Sequence, residues 1–382
     1  ICVCAKVRNN ELIAKGNFER IGQSNSFLTH KVGEEKHKFE KPVSNHEKAI
    51  KFVLKKLQSD SYGVIKSPDE IGAIGHRIVH GGEKFSKPVI ITDEVMKGIE
   101  ECIELAPLHN PAHLLGINAF REILPDKPMV CVFDTAFHQT MPDYNYLYAL
   151  PTNWYEDYKI RRYGFHGTSH KYVSQKAAEF LGKDAKELKI VTCHLGNGSS
   201  ISAVDGGKCI DTSMGFTPLD GVPMGTRTGS MDPAVMTYLM NKGMSAKEID
   251  NLVNKQSGVA GVSGVSSDFR DLTAAAESGN ERAKLALDMF AYQVKKFIGA
   301  YAAAMGGIDA VVFTAGVGEN DNATRKAIVS GLEFLGIKID DAKNDKRGTV
   351  DITADGAAVK TLVIPTDEEM MIAIDTEKLA KA

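Results

Sequence analysis

The sequence KIVTCHLGNGSS (residues 189–200) joins a β-branched run to a turn of small and polar residues. Two further runs have the same form, MVCVF (129–133) before Asp134 and AVVFT (310–314) before Gly316. Short β-branched runs that alternate with helical stretches are typical of α/β folds, in which ligands bind at the turns after the strands. The recurrence predicts two related α/β halves that face a common cleft.

The clearest helix is predicted from about Glu281 to Met305, where apolar residues recur at three- and four-residue spacing. Asn280 can cap its start, and Gly306 can end it. Prolines and an asparagine interrupt regular structure over residues 142–153. They predict a domain boundary, with a first domain over residues 1–148 and a second over residues 149–382, whose last helix packs back on the first domain.

The composition is that of a globular protein, since 43% of the 382 residues are apolar and 25% are charged. Lys plus Arg total 46 and Asp plus Glu total 49, a formal net charge of −3, which predicts neither a nucleic-acid partner nor an anionic membrane surface. The apolar stretch 297–318 is interrupted by Gly306 and Gly307, which favours a helix followed by a buried strand over a membrane span. Six cysteines without a C-x-x-C pair predict a reduced, cytoplasmic protein.

The turn HLGNGSS (194–200) is a candidate phosphate site, because successive N–H groups at a glycine-rich turn can surround phosphate oxygens. The alternative is a plain β-hairpin with a type I′ turn at Asn197-Gly198, and both interpretations stay open because a hairpin tip can also contact phosphate. The sequence has neither a G-x-x-x-x-G-K-[ST] loop nor a G-x-G-x-x-G turn after a strand. Any bound ATP would therefore be held by hairpin turns.

Three charged residues stand where they could act on an anion. Arg227 lies between glycines in GTRTG (225–229), where simple solvation is the alternative. Arg77 lies in a short β-branched run closed by two glycines, which argues against a merely solvated cation. Asp134 ends a predicted strand, where an aspartate is catalytic, metal-linked or the cap of a helix.

Two histidine pairs at four-residue spacing raise the question of zinc. His76 and His80 lie in a predicted strand, which separates their side chains. Thr168 or Ser169 is expected to cap a helix, so His166 should precede that helix and not share a face with His170. Zinc is therefore disfavoured, and serine hydrolysis is disfavoured by the absence of a G-x-S-x-G elbow.

Seven motifs, taken together and in this order, resemble the acetate kinase family. They are GHRIVHGGEKF (75–85), LAPLHNP (105–111), VFDTAFHQTMP (132–142), YGFHGTSHKYV (163–173), CHLGNGSS (193–200), DTSMGFTPLDGVPMGTRTGSMDP (211–233) and FTAGVGEN (313–320). The resemblance runs from about Glu11 to the C-terminus. It implies two α/β domains of duplicated ribonuclease-H-like topology, as in actin and the sugar kinases, with an interdomain active-site cleft and with nucleotide binding and dimerisation in the second domain.

The resemblance also implies the reaction, a reversible, direct in-line transfer of the ATP γ-phosphoryl group to acetate, which gives acetyl phosphate and ADP. It implies Mg²⁺, with Mn²⁺ as a substitute, and a cytoplasmic homodimer. Because acetate is already an anion at neutral pH, this transfer needs placed cations and no general base. Propionate or butyrate kinase activity is an alternative, since one methylene in an apolar pocket discriminates by only about 1–3 kcal/mol.

Catalytic roles carry over by motif. Arg77 and Arg227 match the arginines that hold the carboxylate and the phosphoryl oxygens in flight. His166 matches a histidine that hydrogen-bonds the transferring phosphoryl group, and Asn197 matches a second contact to it. Asp134 matches the acid set against Arg77 and the reacting groups.

Binding roles carry over in the same way. The implied pocket for the acetate methyl group consists of Val79, Leu108, Phe165 and Pro218. The implied nucleotide-binding residues are His194, Gly196, Asn197, Gly198, Ser200, Asp268, Arg270, Gly316, Gly318 and Asn320. Glu368 matches a glutamate linked to Mg²⁺, with Glu369 as the one-residue alternative.

The N-terminal residues depart from the family pattern. The family opens with a strand and an Asn-x-Gly-Ser-Ser-Ser turn that contacts phosphate and metal, and ICVCAKVRNN (1–10) contains no such turn. We therefore expect the chain to lack that first strand and turn. A nucleotide-binding dimer with impaired turnover is the alternative that this departure leaves open.

Overall fold

The computed structural model describes residues 2–8 and 11–381, and of residues 2–8 only the backbone. The chain divides into two compact units, one formed by the residues up to Ala136 together with those from Asp367 onward, and the other by Phe137–Thr366. The predicted boundary after residue 148 differs from this division, because residues 137–148 hydrogen-bond within the second unit. The expected lack of a phosphate turn at residues 1–10 lies outside the residues whose side chains are described.

The first unit carries two sheets, and its helices include one from the end of the chain. Its described elements are β1 (Cys2–Arg8), β2 (Glu11–Glu19), β3 (Phe27–Val32), β4 (Glu35–Glu40), α1 (His46–Leu57), a 3-10 helix (Pro68–Glu70), β5 (Ile74–Ile78), β6 (Val89–Ile90), α2 (Asp93–Glu101), α3 (Asn110–Ile123), β7 (Met129–Phe133) and a C-terminal helix (Glu368–Ala380).

Strands β1 to β4 form an antiparallel sheet in chain order. Its buried face follows the alternation of β2, where Ala14 and Phe18 pack with α1. Helix α1 is capped by Asn45, whose side chain accepts the Lys48 N–H. In the second sheet β7 lies between β5, which is parallel to it, and β6, which is antiparallel. All five residues of β7 are buried, as a central strand covered on both faces requires.

The second unit is built on one six-stranded sheet. A 3-10 helix (Ala136–Thr140) lies at the division, and the further described elements are α4 (Asp143–Tyr146), α5 (Asn153–Tyr158), α6 (Gly167–Leu181), a 3-10 helix (Ala185–Glu187), β8 (Lys189–Leu195), β9 (Ser199–Asp205), β10 (Lys208–Thr212), α7 (Ala234–Asn241), α8 (Ala246–Lys255), α9 (Gly258–Ser263), α10 (Phe269–Glu277), α11 (Glu281–Met305), β11 (Ala310–Thr314), α12 (Ala315–Asn320), α13 (Asn322–Val329), a 3-10 helix (Glu333–Leu335), α14 (Asp341–Asn344), β12 (Val350–Asp351) and β13 (Lys360–Val363).

The strand order of this sheet is β10-β9-β8-β11-β13-β12, with β8, β11 and β13 parallel. Neighbouring residues of β8 face opposite sides, so that Ile190 packs in the core with α6 and Val191 in the core with α11. The predicted helix is confirmed as α11, with Asn280 accepting the N–H groups of its first turn and Gly306 ending it at φ 66°. The mixed α/β class and the strands predicted from the β-branched runs are also confirmed.

Among the described residues, none of the helices is both long and apolar enough to cross a bilayer. The stretch 297–318 forms the second half of α11, a turn at Gly306-Gly307 and the buried strand β11.

Two helical glycines of the first unit predict opposite effects of the same substitution. A β-carbon at Gly98 would lie 2.7 Å from the Phe85 ring, which stacks on Phe133 with centroids 4.5 Å apart. Gly98→Ala should lower the free energy of unfolding by about 1–3 kcal/mol, because that stacked pair would have to move. At Gly116 a β-carbon would meet nothing within 4 Å. Gly116→Ala should raise the free energy of unfolding by about 0.5–1 kcal/mol, because alanine restricts the conformations of the unfolded chain.

Denaturant unfolding of the two variants beside the wild type measures both effects. A Gly98→Ala protein as stable as Gly116→Ala would contradict the packing described here.

Candidate active site

The first unit holds an arginine–aspartate pair at the carboxyl ends of two parallel strands. Arg77 in β5 lies in register with Val132 in β7, and Asp134 follows β7 directly. The Arg77 Nε donates to Asp134 Oδ1 at 2.9 Å and its Nη2 donates to Oδ2 at 2.7 Å. Asp134 is 2% exposed, whereas the Arg77 side chain is 45% exposed. One edge of the guanidinium is thus fixed by a buried carboxylate, which also raises the pKa of Arg77, and the rest remains accessible.

The C-terminal helix brings a second carboxylate to this pair. Glu368 stands in its first turn, after the cap Asp367, and its Oε2 lies 3.8 Å from the Arg77 Nη2. Burial raises the pKa of Glu368 to about 7. The nearby Asp134 charge also raises this pKa, whereas the Arg77 charge lowers it. Glu369 instead pairs with Lys15 at 3.2 Å. Of the two glutamates that the sequence left open, Glu368 is the one beside Arg77.

The second unit places two histidines and a serine at the turn between β8 and β9. His166 precedes α6, and its Nδ1 is hydrogen-bonded to Ser200 Oγ at 2.9 Å. The same oxygen lies 2.7 Å from the Nε2 of His170. The prediction that His166 precedes the helix is confirmed, whereas the expected cap at Thr168 or Ser169 is wrong, because both residues lie inside α6. His166 itself occupies the cap position with φ 57°, a left-handed conformation that turns its ring back over the helix start.

Hydrogen bonds and stacking fix the orientation of the His166 ring. It stacks on His194 with centroids 4.2 Å apart and an interplanar angle of 20°. The Nδ1 of His194 is bonded to Ser169 Oγ at 2.8 Å, and that hydroxyl is bonded to Thr366 Oγ1 at 2.7 Å. Because Ser200 holds the Nδ1 edge of His166, its Cε1 and Nε2 are turned to Gly198, 3.5 Å from the place of a β-carbon there.

Arg227 reaches the same glycine from the other side. Its Nη1 lies 3.7 Å from the place of a β-carbon at Gly198 and donates to the Pro218 carbonyl at 3.2 Å. The side chain is half-buried, burial lowers its pKa, and no carboxylate of the described residues forms an ion pair with it. A half-buried guanidinium without a carboxylate is suited to bind an anion.

The turn under these side chains is a hairpin of a different type from the predicted one. Leu195 pairs with Ser199, and the Gly196 N–H donates to the Gly198 carbonyl. Type I′ is wrong, since neither Asn197 nor Gly198 has a positive φ. Asn197 packs against Gly225, where a β-carbon would lie 2.1 Å from its Oδ1, and its carbonyl accepts the Gly225 N–H. The hairpin tip and the loop of Arg227 are thus held together.

The other predicted nucleotide residues lie on two further turns of the second unit. Gly316, Gly318 and Asn320 belong to α12, which follows β11. Because β11 lies beside β8, the Cβ of Ala315 at the start of α12 lies 3.8 Å from the place of a β-carbon at Gly196. Asp268 caps α10 and forms a two-point ion pair with Arg270 at the surface, which lowers the pKa of Asp268 to about 2.

The predicted methyl pocket divides between the two units. Val79 is half-buried and Leu108 is 83% exposed, and both belong to the first unit. Phe165 is buried and Pro218 half-buried in the second. The site has three further supports that the sequence patterns did not predict, namely Arg162, Ser169 and His170, which lie in or beside the motif YGFHGTSHKYV (163–173).

A divalent cation fits the donors of the first unit only in part. The described residues contain no group of three or more His, Cys, Asp or Glu side chains that could hold a metal ion. Mg²⁺ bound with substrate phosphates needs only one or two carboxylates, because waters and phosphate oxygens supply the other ligands. Glu368, 3.8 Å from the nearest guanidinium nitrogen, can supply that carboxylate, while both oxygens of Asp134 are hydrogen-bonded by Arg77.

Known proteins share this architecture over nearly the whole chain. The model of the Acetokinase family matches residues 2–374. An acetate kinase of Thermoanaerobacterium thermosaccharolyticum is 60% identical over 379 residues, which cover 98% of this chain and 94% of the relative. The crystal structure of Porphyromonas gingivalis acetate kinase has a TM-score of 0.93 at 51% identity and covers 97% of this chain and 94% of its own. A propionate kinase structure from Francisella tularensis has a TM-score of 0.90 at 43% identity with the same coverage.

The raised pKa of Glu368 predicts a pH-dependent contribution to stability. Its folded-state value of about 7 lies above the ordinary 4.5, so the folded protein binds this proton more tightly than the unfolded chain does. The free energy of unfolding should therefore fall between about pH 4.5 and pH 7, by up to about 3 kcal/mol from this group. Glu368→Gln should remove that fall. The free energy of unfolding of the variant should therefore rise relative to that of the wild type at about pH 8, but not below about pH 4.5.

Denaturant unfolding at those two pH values tests this. Glu369→Gln is the matched control and should follow the wild type. The idea is refuted if the difference between wild type and Glu368→Gln is the same at both pH values.

Proposed function

Because this chain belongs to the acetokinase family, whose members are phosphotransferases with a carboxyl acceptor, we propose that it is an acetate kinase. It transfers the γ-phosphoryl group of ATP to acetate, reversibly and in one in-line step, and gives acetyl phosphate and ADP. The alternative of a nucleotide-binding dimer with impaired turnover is not favoured, since named acetate kinases match over 98% of the chain.

The observation that carries the proposal is the convergence of His166 and Arg227 over Gly198. A phosphoryl group in transfer spreads negative charge over three oxygens, which calls for hydrogen-bond donors and cations fixed in advance. Arg227 has no carboxylate partner among the described residues, so an incoming phosphoryl group would be its first anion. The hydrogen bond to Ser200 fixes the ring of His166, so the ring is oriented before the phosphoryl group arrives.

The bond changes need no proton transfer. A carboxylate oxygen of acetate forms a bond to the γ-phosphorus, while the bond from that phosphorus to the bridging oxygen of ADP breaks. Asp134 therefore acts by holding Arg77 in place and not as a base, consistent with its two hydrogen bonds to that side chain. The remaining donors of Arg77 are left for the carboxylate of acetate.

The proposal includes Mg²⁺, with Mn²⁺ as a substitute, and ATP or ADP as the bound nucleotide. Glu368 would hold the ion, which when bound offsets phosphate charge. For the nucleotide we propose the residues of the three turns after β8, β11 and α9, namely His194, Gly196, Asn197, Gly198, Ser200, Asp268, Arg270, Gly316, Gly318 and Asn320.

Two further parts of the proposal concern the setting of the enzyme. A homodimer is supported by Leu285, Met289 and Tyr292, which recur on one face of α11 and are 52%, 41% and 59% exposed. A cytoplasmic location is supported by the four cysteines whose side chains are described, which are buried and free.

Acetate should be the preferred acid, followed by propionate and butyrate. Val79, Leu108, Phe165 and Pro218 are proposed to line an apolar wall that limits chain length, whereas the arginines grip every short carboxylate alike. Each added methylene should change kcat/KM by a factor within about 10–200. Trapping the acyl phosphate with hydroxylamine measures the rate for each acid. No hydroxamate from any of the three acids would refute the assignment, and a faster rate with propionate would make the chain a propionate kinase.

A methyl group at Gly198 should block the site without unfolding it. The added carbon would lie at ordinary contact distances, 3.5 Å from His166 and 3.7 Å from Arg227, and the backbone there is not left-handed. Gly198→Ala should lower kcat/KM by about 10- to 100-fold, because the methyl group occupies the space proposed for the phosphoryl oxygens. The hydroxamate assay beside a thermal melt checks this, with Gly116→Ala as control. A variant with wild-type kcat/KM would move the phosphoryl site elsewhere.

A further inference from the structure

The segment that carries Arg227 is closed into a loop at its neck. Ser230 N–H donates to the Gly221 carbonyl at 2.8 Å, and Gly221 N–H donates to Ser230 Oγ at 3.0 Å. Asp220 binds both sides of this neck, because its Oδ1 accepts the Gly221 N–H at 2.9 Å and the Ser230 hydroxyl at 2.5 Å. Gly221 has φ 105°, a conformation that side chains rarely adopt.

The tip of the loop is fixed by backbone contacts. Met224 N–H donates to the Arg227 carbonyl at 3.0 Å, and Val259 N–H donates to the Met224 carbonyl at 2.9 Å. Gly258 packs so closely that a β-carbon there would lie 2.1 Å from the Met224 oxygen and 2.9 Å from the Arg227 nitrogen. The loop is therefore held at its tip and at its neck. A shift of the neck would strain the loop and move the Arg227 guanidinium.

Arg162 connects that neck to the segment of His166, four residues further along the chain. Its Nη1 donates to the carbonyl of Thr212 at 2.8 Å and lies within 3.3 and 3.4 Å of the next two carbonyls. The same nitrogen lies 3.6 Å from Asp220 Oδ2. Tyr163 and Gly164 N–H groups both donate to the Gly215 carbonyl. The segment before His166 and the segment that leads to the neck are therefore joined side by side.

We propose that the Arg162–Asp220 pair is a positioning device, which sets the spacing between His166 and Arg227 over Gly198. Neither member touches the proposed phosphoryl position. Asp220 holds the neck of the loop that bears Arg227, and Arg162 ties that neck to the segment that bears His166. The inference rests on the proposed function, because its readout is the transfer of the phosphoryl group.

The magnitude follows from the geometry of transfer. The rate of a reaction falls by about 100-fold when the groups aimed at its transition state are displaced by roughly 1 Å. Asp220 is 34% exposed, so its truncation leaves no buried cavity and the protein should stay folded. Asp220→Ala should therefore lower kcat by about 10- to 100-fold, while the KM for ATP changes by less than about threefold. Asp220→Asn should fall between Asp220→Ala and the wild type.

Steady-state kinetics with the hydroxamate assay, together with a thermal melt, test this on the full chain. The matched control is Asp69→Ala, which removes another exposed aspartate that accepts a nearby serine hydroxyl, Ser67 Oγ at 2.9 Å, in the first unit. It should leave kcat unchanged. The double variant Asp220→Ala/Arg227→Lys should be no slower than Arg227→Lys alone, because a device that acts through Arg227 has nothing left to position once the guanidinium is gone.

Three outcomes would overturn the inference. They are wild-type kcat in Asp220→Ala, a loss of kcat no larger than the loss of folded protein, and additive losses in the double variant. A wild-type protein that forms no hydroxamate would instead refute the proposed function, so the two failures are distinguishable.

Discussion

The Arg227 guanidinium is half-buried, no carboxylate among the described side chains pairs with it, and the loops of the second unit hold it in that state. Keeping Arg227 in that state costs free energy, because part of its hydration is lost without a compensating ion pair. Backbone hydrogen bonds at the neck and the tip of the loop offset this free energy. The Pro218 carbonyl also accepts a hydrogen bond from the guanidinium itself. Arg77 is the opposite case, since Asp134 already neutralises it. The two arginines therefore differ in what they can offer an anion, although a charge count treats them alike.

Much of the scaffold could be predicted from the sequence because its signals are local. The β-branched runs before Asp134, Gly196 and Gly316 became β7, β8 and β11, since apolar runs bounded by small residues have few other ways to be buried. Helix α11 was predicted with both ends, because an asparagine cap and a terminal glycine act on the nearest turn alone. The pairing of Arg77 with Asp134 was implied only by family resemblance, since no local rule links residues on separate strands.

What the sequence could not supply depends on backbone conformations and contacts that cross long stretches of chain. His166 takes a left-handed φ, which is uncommon for residues other than glycine, and it hydrogen-bonds to the same Ser200 hydroxyl as His170. The turn at Asn197 is not type I′, and it packs against the loop of Arg227, a contact that no local rule anticipates. Arg162 carries no local signal in the sequence, because its hydrogen bonds go to carbonyls about fifty residues away. The division after Ala136 differs from the boundary after residue 148 that the prolines predicted, because the residues between hydrogen-bond to β10.

The C-terminal helix has a consequence for how the protein is made. The second unit is continuous in sequence, so a ribosome delivers all of it before the helix that completes the first unit. During synthesis the first unit waits with the β5 surface around Gly75 uncovered until Ile372 arrives. Glu368 reaches Arg77 only with that helix as well. Chains released before Glu368 would thus carry a finished second unit and a first unit that lacks both this helix and the second carboxylate beside Arg77.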